Sequence, residues 1–287
     1  MTCFGYCSKI KHMEISVLME NLSKDEKFKT EHGLSLYIES LGKKILFDTG
    51  QSSAFIENAQ KMGIDLKNVD FLVISHGHYD HTGGLKAFLE LNKKAVVYIQ
   101  KSAFKPYYSD KGEKGIKAVG IDSKNLDLKR FVCLDGDFDI SDNFKLINKI
   151  SSSDLVSVSN NSLLKKDDKG NFVKDDFLHE QNLLIKENEK KVLITGCAHR
   201  GIVNIIRQAE QYCDGPLTAV LGGFHLSSPS RGTCESDSLI DGVANFLKQR
   251  PTEYFTGHCT GLIGYGKLKD RLKSKVNYLG CSTILEL

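Results

Sequence analysis

The apolar residues of this chain fall mostly into short runs. Ile15-Ser-Val-Leu-Met19, Leu34-Ser-Leu-Tyr-Ile38, Lys44-Ile-Leu-Phe47, Phe71-Leu-Val-Ile74 and Ala95-Val-Val-Tyr-Ile99 are four or five residues long and read as strands, the second with alternating polarity. Gly42-Lys43 predicts a hairpin turn between the second and third. Phe55, Ile56, Ala59 and Met62 recur at helical spacing within 53–62, and Leu85, Ala87, Phe88, Leu89 and Leu91 enter a helix behind Gly83-Gly84.

The second half repeats this rhythm. Strands are predicted at Phe131–Leu134, Phe144–Ile150, Asn182–Ile185 and Val192–Thr195, then a helix at Ile202–Ala209, a strand at Leu217–Leu221, a helix at Leu239–Leu247 and a strand near Val276–Leu279. Strands then helices, twice over, imply an α/β fold: two mixed sheets packed face to face with helices outside, a four-layer αββα sandwich in one domain over 1–287. Residues from about 101 to 127 are rich in Lys, Gly, Ser and Asp, and read either as a lid bearing Tyr107 and Tyr108 or as a plain surface loop.

Between the predicted strand Phe71–Ile74 and its helix lies His76-Gly-His78-Tyr-Asp80-His81, four potential metal ligands in six residues. On a helix, His76 and His78 would point about 200° apart, whereas a loop at a strand's carboxyl end can turn all four side chains inward. Neutral imidazole and carboxylate suit zinc, manganese or iron, and catalytic sites keep a position open for water. Dividing the loop between two ions gives His76 and His78 to one, Asp80 and His81 to the other, each needing a further ligand from later in the chain. The bland alternative is a solvated, histidine-rich loop.

Composition narrows the classes. The 287 residues are 40% hydrophobic and 26% charged, as in ordinary globular proteins. The net charge of +3 comes from dispersed lysines, which argues against a nucleic-acid partner. No apolar stretch approaches the roughly 20 residues that span a bilayer, and Met1-Thr-Cys-Phe-Gly-Tyr-Cys7 lacks the pattern of a signal peptide, so a cytoplasmic location is expected. The eight cysteines are scattered without a C-x-x-C pair and read as reduced core residues, with Cys3 and Cys7 as a metal or redox pair the alternative. His12 and His32 have no strand-end setting and are assigned no role. Oligomeric state is left open.

The His-x-His-x-Asp-His loop, with Asp48-Thr-Gly50 ending an earlier strand, resembles the metallo-β-lactamase fold superfamily. Within it, Thr195-Gly-Cys-Ala-His199-Arg-Gly-Ile-Val-Asn204, Gly222-Gly-Phe-His225-Leu226 and Thr256-Gly-His258-Cys-Thr-Gly261 are similar to the branch named 7,8-dihydropterin-6-methyl-4-(β-D-ribofuranosyl)aminobenzene-5′-phosphate synthase. The resemblance implies that His258, after Tyr254-Phe-Thr256, completes the second ion's site. His199, after the strand ending at Thr195, is assigned to the first, with His179 the alternative by position in the wider superfamily. The superfamily's bridging aspartate falls near Cys197, either a thiolate ligand or a small buried residue of a tight turn. His225, at another strand end, is expected in the pocket as proton donor, substrate contact or extra ligand.

Two ions about 3.5–4 Å apart lower the pKa of a shared water from about 15.7 towards 7, so the expected nucleophile is a metal-bound hydroxide oriented by Asp80. Asp48 would hold a ligand histidine's second N–H or cap the following helix. The expected activity is hydrolysis of a phosphate ester, phosphodiester or lactone-like bond in a small, phosphorylated substrate. The branch name implies the alternative, a transferase joining a pterin pyrophosphate to an aminobenzene ribotide with loss of pyrophosphate. A di-iron redox protein is disfavoured because such relatives carry glutamate where this chain has His78. A non-enzymatic metal binder is disfavoured because Asp80 and His258 accompany the loop histidines.

Overall fold

Period-two alternation divides the strand side chains between three cores. Phe71 and Val73 join Ile45, Phe47, Leu183, Ile185, Val192 and Ile194 in one cluster, while the intervening Leu72 packs with Phe55 and Phe88, and Leu184 and Leu193 pack with Ile202, Ile206 and Ile240. The first cluster lies between two sheets and the others lie under helices, which defines the αββα sandwich. Burying each such Val, Leu or Phe contributes roughly 1.5–3 kcal/mol. The computed structural model describes residues 12–124, 126–228 and 231–287, so Cys3 and Cys7 lie outside the described residues.

One seven-stranded sheet runs in the order Ile284–Glu286, Glu14–Met19, Ser35–Ser40, Lys43–Phe47, Phe71–Val73, Val96–Gln100, Phe131–Leu134, and is parallel from Lys43–Phe47 onward. The other runs Val276–Tyr278, Glu253–Thr256, Ala219–Gly222, Lys190–Ile194, Asn182–Glu187, Phe144–Ile147, Phe138–Ser141, with its first four strands parallel. Outer helices span Ala54–Lys61 and Leu85–Leu91 in one half, and Ile202–Tyr212, Asp237–Lys248 and Gly261–Leu272 in the other. No helix among the described residues is long and apolar enough to cross a membrane.

Three local details differ from the sequence reading. The hairpin turn is Leu41-Gly42, both at positive φ (51° and 74°), with Ser40 paired to Lys43, as the right-handed twist of two-residue hairpins demands. The metal motif is not all loop: Tyr79–Thr82 form one helical turn, with the hydroxyl of Thr82 bonded to the carbonyl of His78. Residues 101–127 contain strands Tyr107–Asp110 and Ile116–Ala118, which join Leu163–Lys166 and Phe172–Lys174 in a separate four-stranded sheet. Tyr107 is buried with its hydroxyl on the Ser102 carbonyl (2.8 Å), whereas Tyr108 packs edge-on against Phe172.

Candidate metal centre

Each site residue follows a parallel strand at its carboxyl end, where an open α/β sheet places its ligands. Asp48 follows Lys43–Phe47, the histidine motif follows Phe71–Val73, Cys197 and His199 follow Lys190–Ile194, His225 follows Ala219–Gly222 and His258 follows Glu253–Thr256. Four residues here are held left-handed without being glycine: Asp48 (φ 59°), Ala198 (57°), His225 (49°) and His258 (49°). Such conformations cost on the order of 1–3 kcal/mol each and persist where surrounding contacts impose them.

The donor atoms include two adjacent buried groups, His76, His78 and His199 in one, and Asp80, His81, Cys197 and His258 in the other, with the atoms of each within 4.8 Å of one another. Nδ1 of four imidazoles is engaged by the protein: His76 with Ser75 Oγ (2.9 Å), His81 with Asp48 Oδ2 (2.6 Å), His199 with Asn160 Oδ1 (3.1 Å) and His258 with Asn21 Oδ1 (3.0 Å). These contacts direct each Nε2 inward. Nε2 of His76, His78 and His199 is buried without a hydrogen-bond partner, an arrangement that costs free energy unless a cation takes the lone pair.

In the second group, Nε2 of His81 lies 3.1 Å from Nε2 of His258 and 3.2 Å from Cys197 Sγ, while Oδ2 of Asp80 is 3.3 Å from Nε2 of His258. Asp80 Oδ2 is also 3.7 Å from Nε2 of His81, so three lone-pair-bearing groups converge on that nitrogen, an arrangement that fits a divalent ion. Burial, reinforced by neighbouring histidines, holds His76 and His199 well below the usual imidazole range, and burial pulls His78 down to about 3, so all three present neutral nitrogen. For Asp80, burial opposes ionisation but His81, His258 and His32 outweigh it and keep it a carboxylate.

His179 shares a third group of buried donors with His78 and Asp175, and both its ring nitrogens are engaged within the protein. Its Nδ1 accepts the N–H of Gly77 (3.0 Å) and its Nε2 meets Asp175 Oδ2 (3.0 Å), so it braces the motif loop. Gly77 has no alternative there, since a Cβ would collide with the carbonyl of Ala103. Behind the ligands, buried Glu180 accepts the backbone N–H groups of His199 (2.6 Å) and Arg200 (3.0 Å), and Glu20 does the same for His258 and Leu22.

One expectation needs correction. His32, assigned no role from sequence, sets Nε2 3.2 Å from Asp80 Oδ2 and stacks its ring on His258 (centroids 4.8 Å). Burial alone would lower its pKa, but the Asp80 carboxylate more than offsets this and raises it. His12 is exposed, as expected. His225 is buried with neither ring nitrogen bonded, beside His199 (centroids 4.2 Å) and grouped with Cys197 and His199.

Both groups open into a cavity of about 350 Å³, lined by His32, His78, Asp80, His199 and His225, and by Ser109, Lys111, Ser159, Ser162 and Leu163. Ser109 and Leu163 come from strands of the small sheet and Lys111 from the turn just beyond Tyr107–Asp110, so that sheet forms one wall. Lys111 is half-buried and pairs with no carboxylate among the described residues.

This architecture is the metallo-β-lactamase fold, shared by metal-dependent hydrolases and related enzymes. Residues 29–154 match the model of the metallo-β-lactamase superfamily. An uncharacterized protein of Methanocaldococcus jannaschii is 31% identical, over 88% of this chain and 93% of its own length. The 7,8-dihydropterin-6-methyl-4-(β-D-ribofuranosyl)-aminobenzene-5′-phosphate synthase of the same organism is 25% identical, over 97% and 98%. The crystal structure of a metal-dependent hydrolase of the β-lactamase superfamily superposes with a TM-score of 0.79 at 32% identity, covering 96% of this chain and 99% of that one. The chain belongs to the metallo-β-lactamase superfamily.

Proposed function

We propose that this chain is a two-ion hydrolase that cleaves a phosphate ester or phosphodiester in a small anionic substrate. The observation that carries the reading is the set of buried, unpartnered Nε2 atoms of His76, His78 and His199 beside the Asp80, His81 and His258 group, at the base of one cavity. His76, His78 and His199 would hold one ion, and Asp80, His81 and His258 the other. Zinc matches these donors best, and manganese or iron could occupy them. Bound there, the ions would lower the pKa of a shared water and polarise the bond under attack.

The chain's own residues supply the rest. Asp80, held by Nε2 of His32 at 3.2 Å, orients the attacking water. His225, with both ring nitrogens unbonded at the cavity, is placed to give a proton to the leaving oxygen. Lys111, with the Ser109 hydroxyl beside it, receives the substrate's anionic group, and the small sheet whose hairpin carries Lys111 serves as the lid that excludes water. Elemental analysis of protein purified without chelator, beside hydrolysis of phosphodiester and phosphomonoester reporters, tests this. Close to two ions with turnover that Asp80→Ala abolishes is expected; unchanged turnover in Asp80→Ala with the fold intact would sink it.

A transferase is the second reading, favoured by the full-length similarity to the synthase. Pyrophosphate release from a pterin pyrophosphate and an aminobenzene ribotide, with both reporters left intact, would select it.

A further inference from the structure

We infer that the substrate carries hydrogen-bond donors, O–H or N–H, beside its anionic group, and that Ser159, Ser162 and Ser227 read them as acceptors. The inference rests on the small anionic substrate proposed above and adds to it the chemistry of the substrate's remainder.

The direction of three hydroxyl protons decides what this wall of the cavity recognises. Ser159, Ser162 and Ser227 all line it. The Ser162 hydroxyl donates to the carbonyl of Ser159 (2.8 Å), and the Ser227 hydroxyl donates to the carbonyl of Cys259 (3.0 Å). A carbonyl oxygen only accepts, so neither bond can run the other way. The Ser157 hydroxyl donates to Glu235 Oε1 (2.6 Å), and the Ser159 hydroxyl lies against both Ser157 Oγ and Glu235 Oε1, so its proton too stays within the protein. A hydroxyl has one proton and two lone pairs. Each of these three has committed its proton and has only lone pairs left for a ligand.

Glu235 builds this polarity into the fold. It is 4% exposed, and its Oε1 also accepts the N–H of Ser159 (3.0 Å), while its own N–H bonds the carbonyl of Leu226 (2.9 Å). The turn Val158–Ser162 is thereby tied to the segment that carries Ser227. Oε2 of Glu235 is buried with no hydrogen-bond partner among the described residues, a further acceptor behind the same wall. Turning a serine proton outward to meet a ligand oxygen would strip a donor from a protein carbonyl or carboxyl, which costs more than a neutral hydrogen bond returns.

Lys111 has the complementary chemistry, with three N–H donors and no acceptor, and suits phosphoryl oxygens. A ligand that is phosphate and hydrocarbon alone would satisfy Lys111 and leave the serine lone pairs unmet. One that also brings O–H or N–H groups satisfies both, and a site built to bond such groups rejects analogues that lack them.

The test is calorimetric binding, to the full chain purified without chelator, of four phosphonates that share a butyl chain. Dihydroxybutylphosphonate offers O–H donors, aminobutylphosphonate offers N–H donors, dimethoxybutylphosphonate offers acceptors alone, and butylphosphonate offers neither. The dihydroxy or the amino ligand should bind about tenfold tighter than the dimethoxy and unsubstituted ones, and the tighter of the two identifies the donor as O–H or N–H. In Ser162→Ala combined with Ser227→Ala, that preference should fall to within about twofold while ion content holds. A dimethoxy ligand that binds the wild type as tightly as both donor ligands overturns the inference, as does a preference that survives the double substitution. Neither result touches the two-ion reading, which stands or falls on ion content and reporter turnover. Failure of all four to bind overturns the inference together with the anionic-substrate assignment.

Discussion

Asp48 Oδ2 lies 2.6 Å from Nδ1 of His81, and the same oxygen accepts the hydroxyl proton of Ser75 at 2.6 Å. Ser75 Oγ, its own proton so committed, accepts from Nδ1 of His76 at 2.9 Å. One buried carboxylate thus sets the tautomer of an imidazole in each donor group. Its other oxygen takes the backbone N–H of Ser75 (2.7 Å), which fixes the start of the motif loop.

Replacing Asp48 should therefore weaken both ions together. In Asp48→Asn, an amide N–H₂ must face either the Ser75 N–H or the two donors at Oδ2, so one donor is left against another. Loss of such an orienting partner typically costs 10–100-fold in metal affinity or activity. Competition with a chelator should show both ions leaving more readily; weakening of one ion alone would contradict the shared role.

His179 should behave as a brace. Its two ring nitrogens are occupied by Gly77 N–H and Asp175, so His179→Ala leaves the buried Gly77 N–H without a partner and takes from buried Asp175 the partner of its Oδ2, while Oδ1 keeps the N–H of Phe177. About 1–3 kcal/mol of stability should be lost for each unsatisfied group. Urea unfolding checks the loss, and ion content should stay at the wild-type value. A drop in ion content with unchanged stability would instead make His179 a ligand.

His32 holds Asp80 from the open side of the centre while stacking on His258. His32→Ala should keep the ion content and reduce kcat on the order of tenfold, towards the low end of orienting-residue effects. His32→Gln, which retains an N–H for Asp80, should recover part of the loss. Equal rates for all three proteins would show that Asp80 needs no such partner.

How much of this was legible depends on how local each signal is. The sandwich follows from alternation within single strands, and the motif histidines are adjacent in sequence. His199, His225 and His258 each stand behind an apolar run, which marks a strand end. His32 stands in Glu31-His32-Gly33, away from any apolar run that would mark a strand end, and only folding brings it to Asp80. Asn21, which orients His258, is 237 positions from it. Glu20 and Glu180 are lone acids whose role rests on backbone groups, to which no sequence pattern points. The helix Gly261–Leu272 was missed because Gly261, Gly264 and Gly266 lower its helix propensity and Leu262 and Ile263 are exposed, blurring the apolar stripe. The small-sheet strands, three or four residues each, have little buried face to impose alternation.

Lys111 tests the substrate assignment separately from the metals. It lines the cavity without a carboxylate partner among the described residues, and burial lowers its pKa while the charge of Asp80 opposes that effect. A cation so placed attracts an anionic group carried by the substrate, an interaction made equally in the ground and transition states. Lys111→Ala should then raise KM for a phosphorylated substrate by about tenfold, leave kcat within about twofold, and leave ion content unchanged. The wild-type KM should also rise with salt, and the variant's should rise less, because screening acts on the interaction the substitution removes. A fall in kcat at constant KM would place the lysine's action on the reacting phosphoryl group, since an interaction made only in the transition state lowers kcat and kcat/KM together.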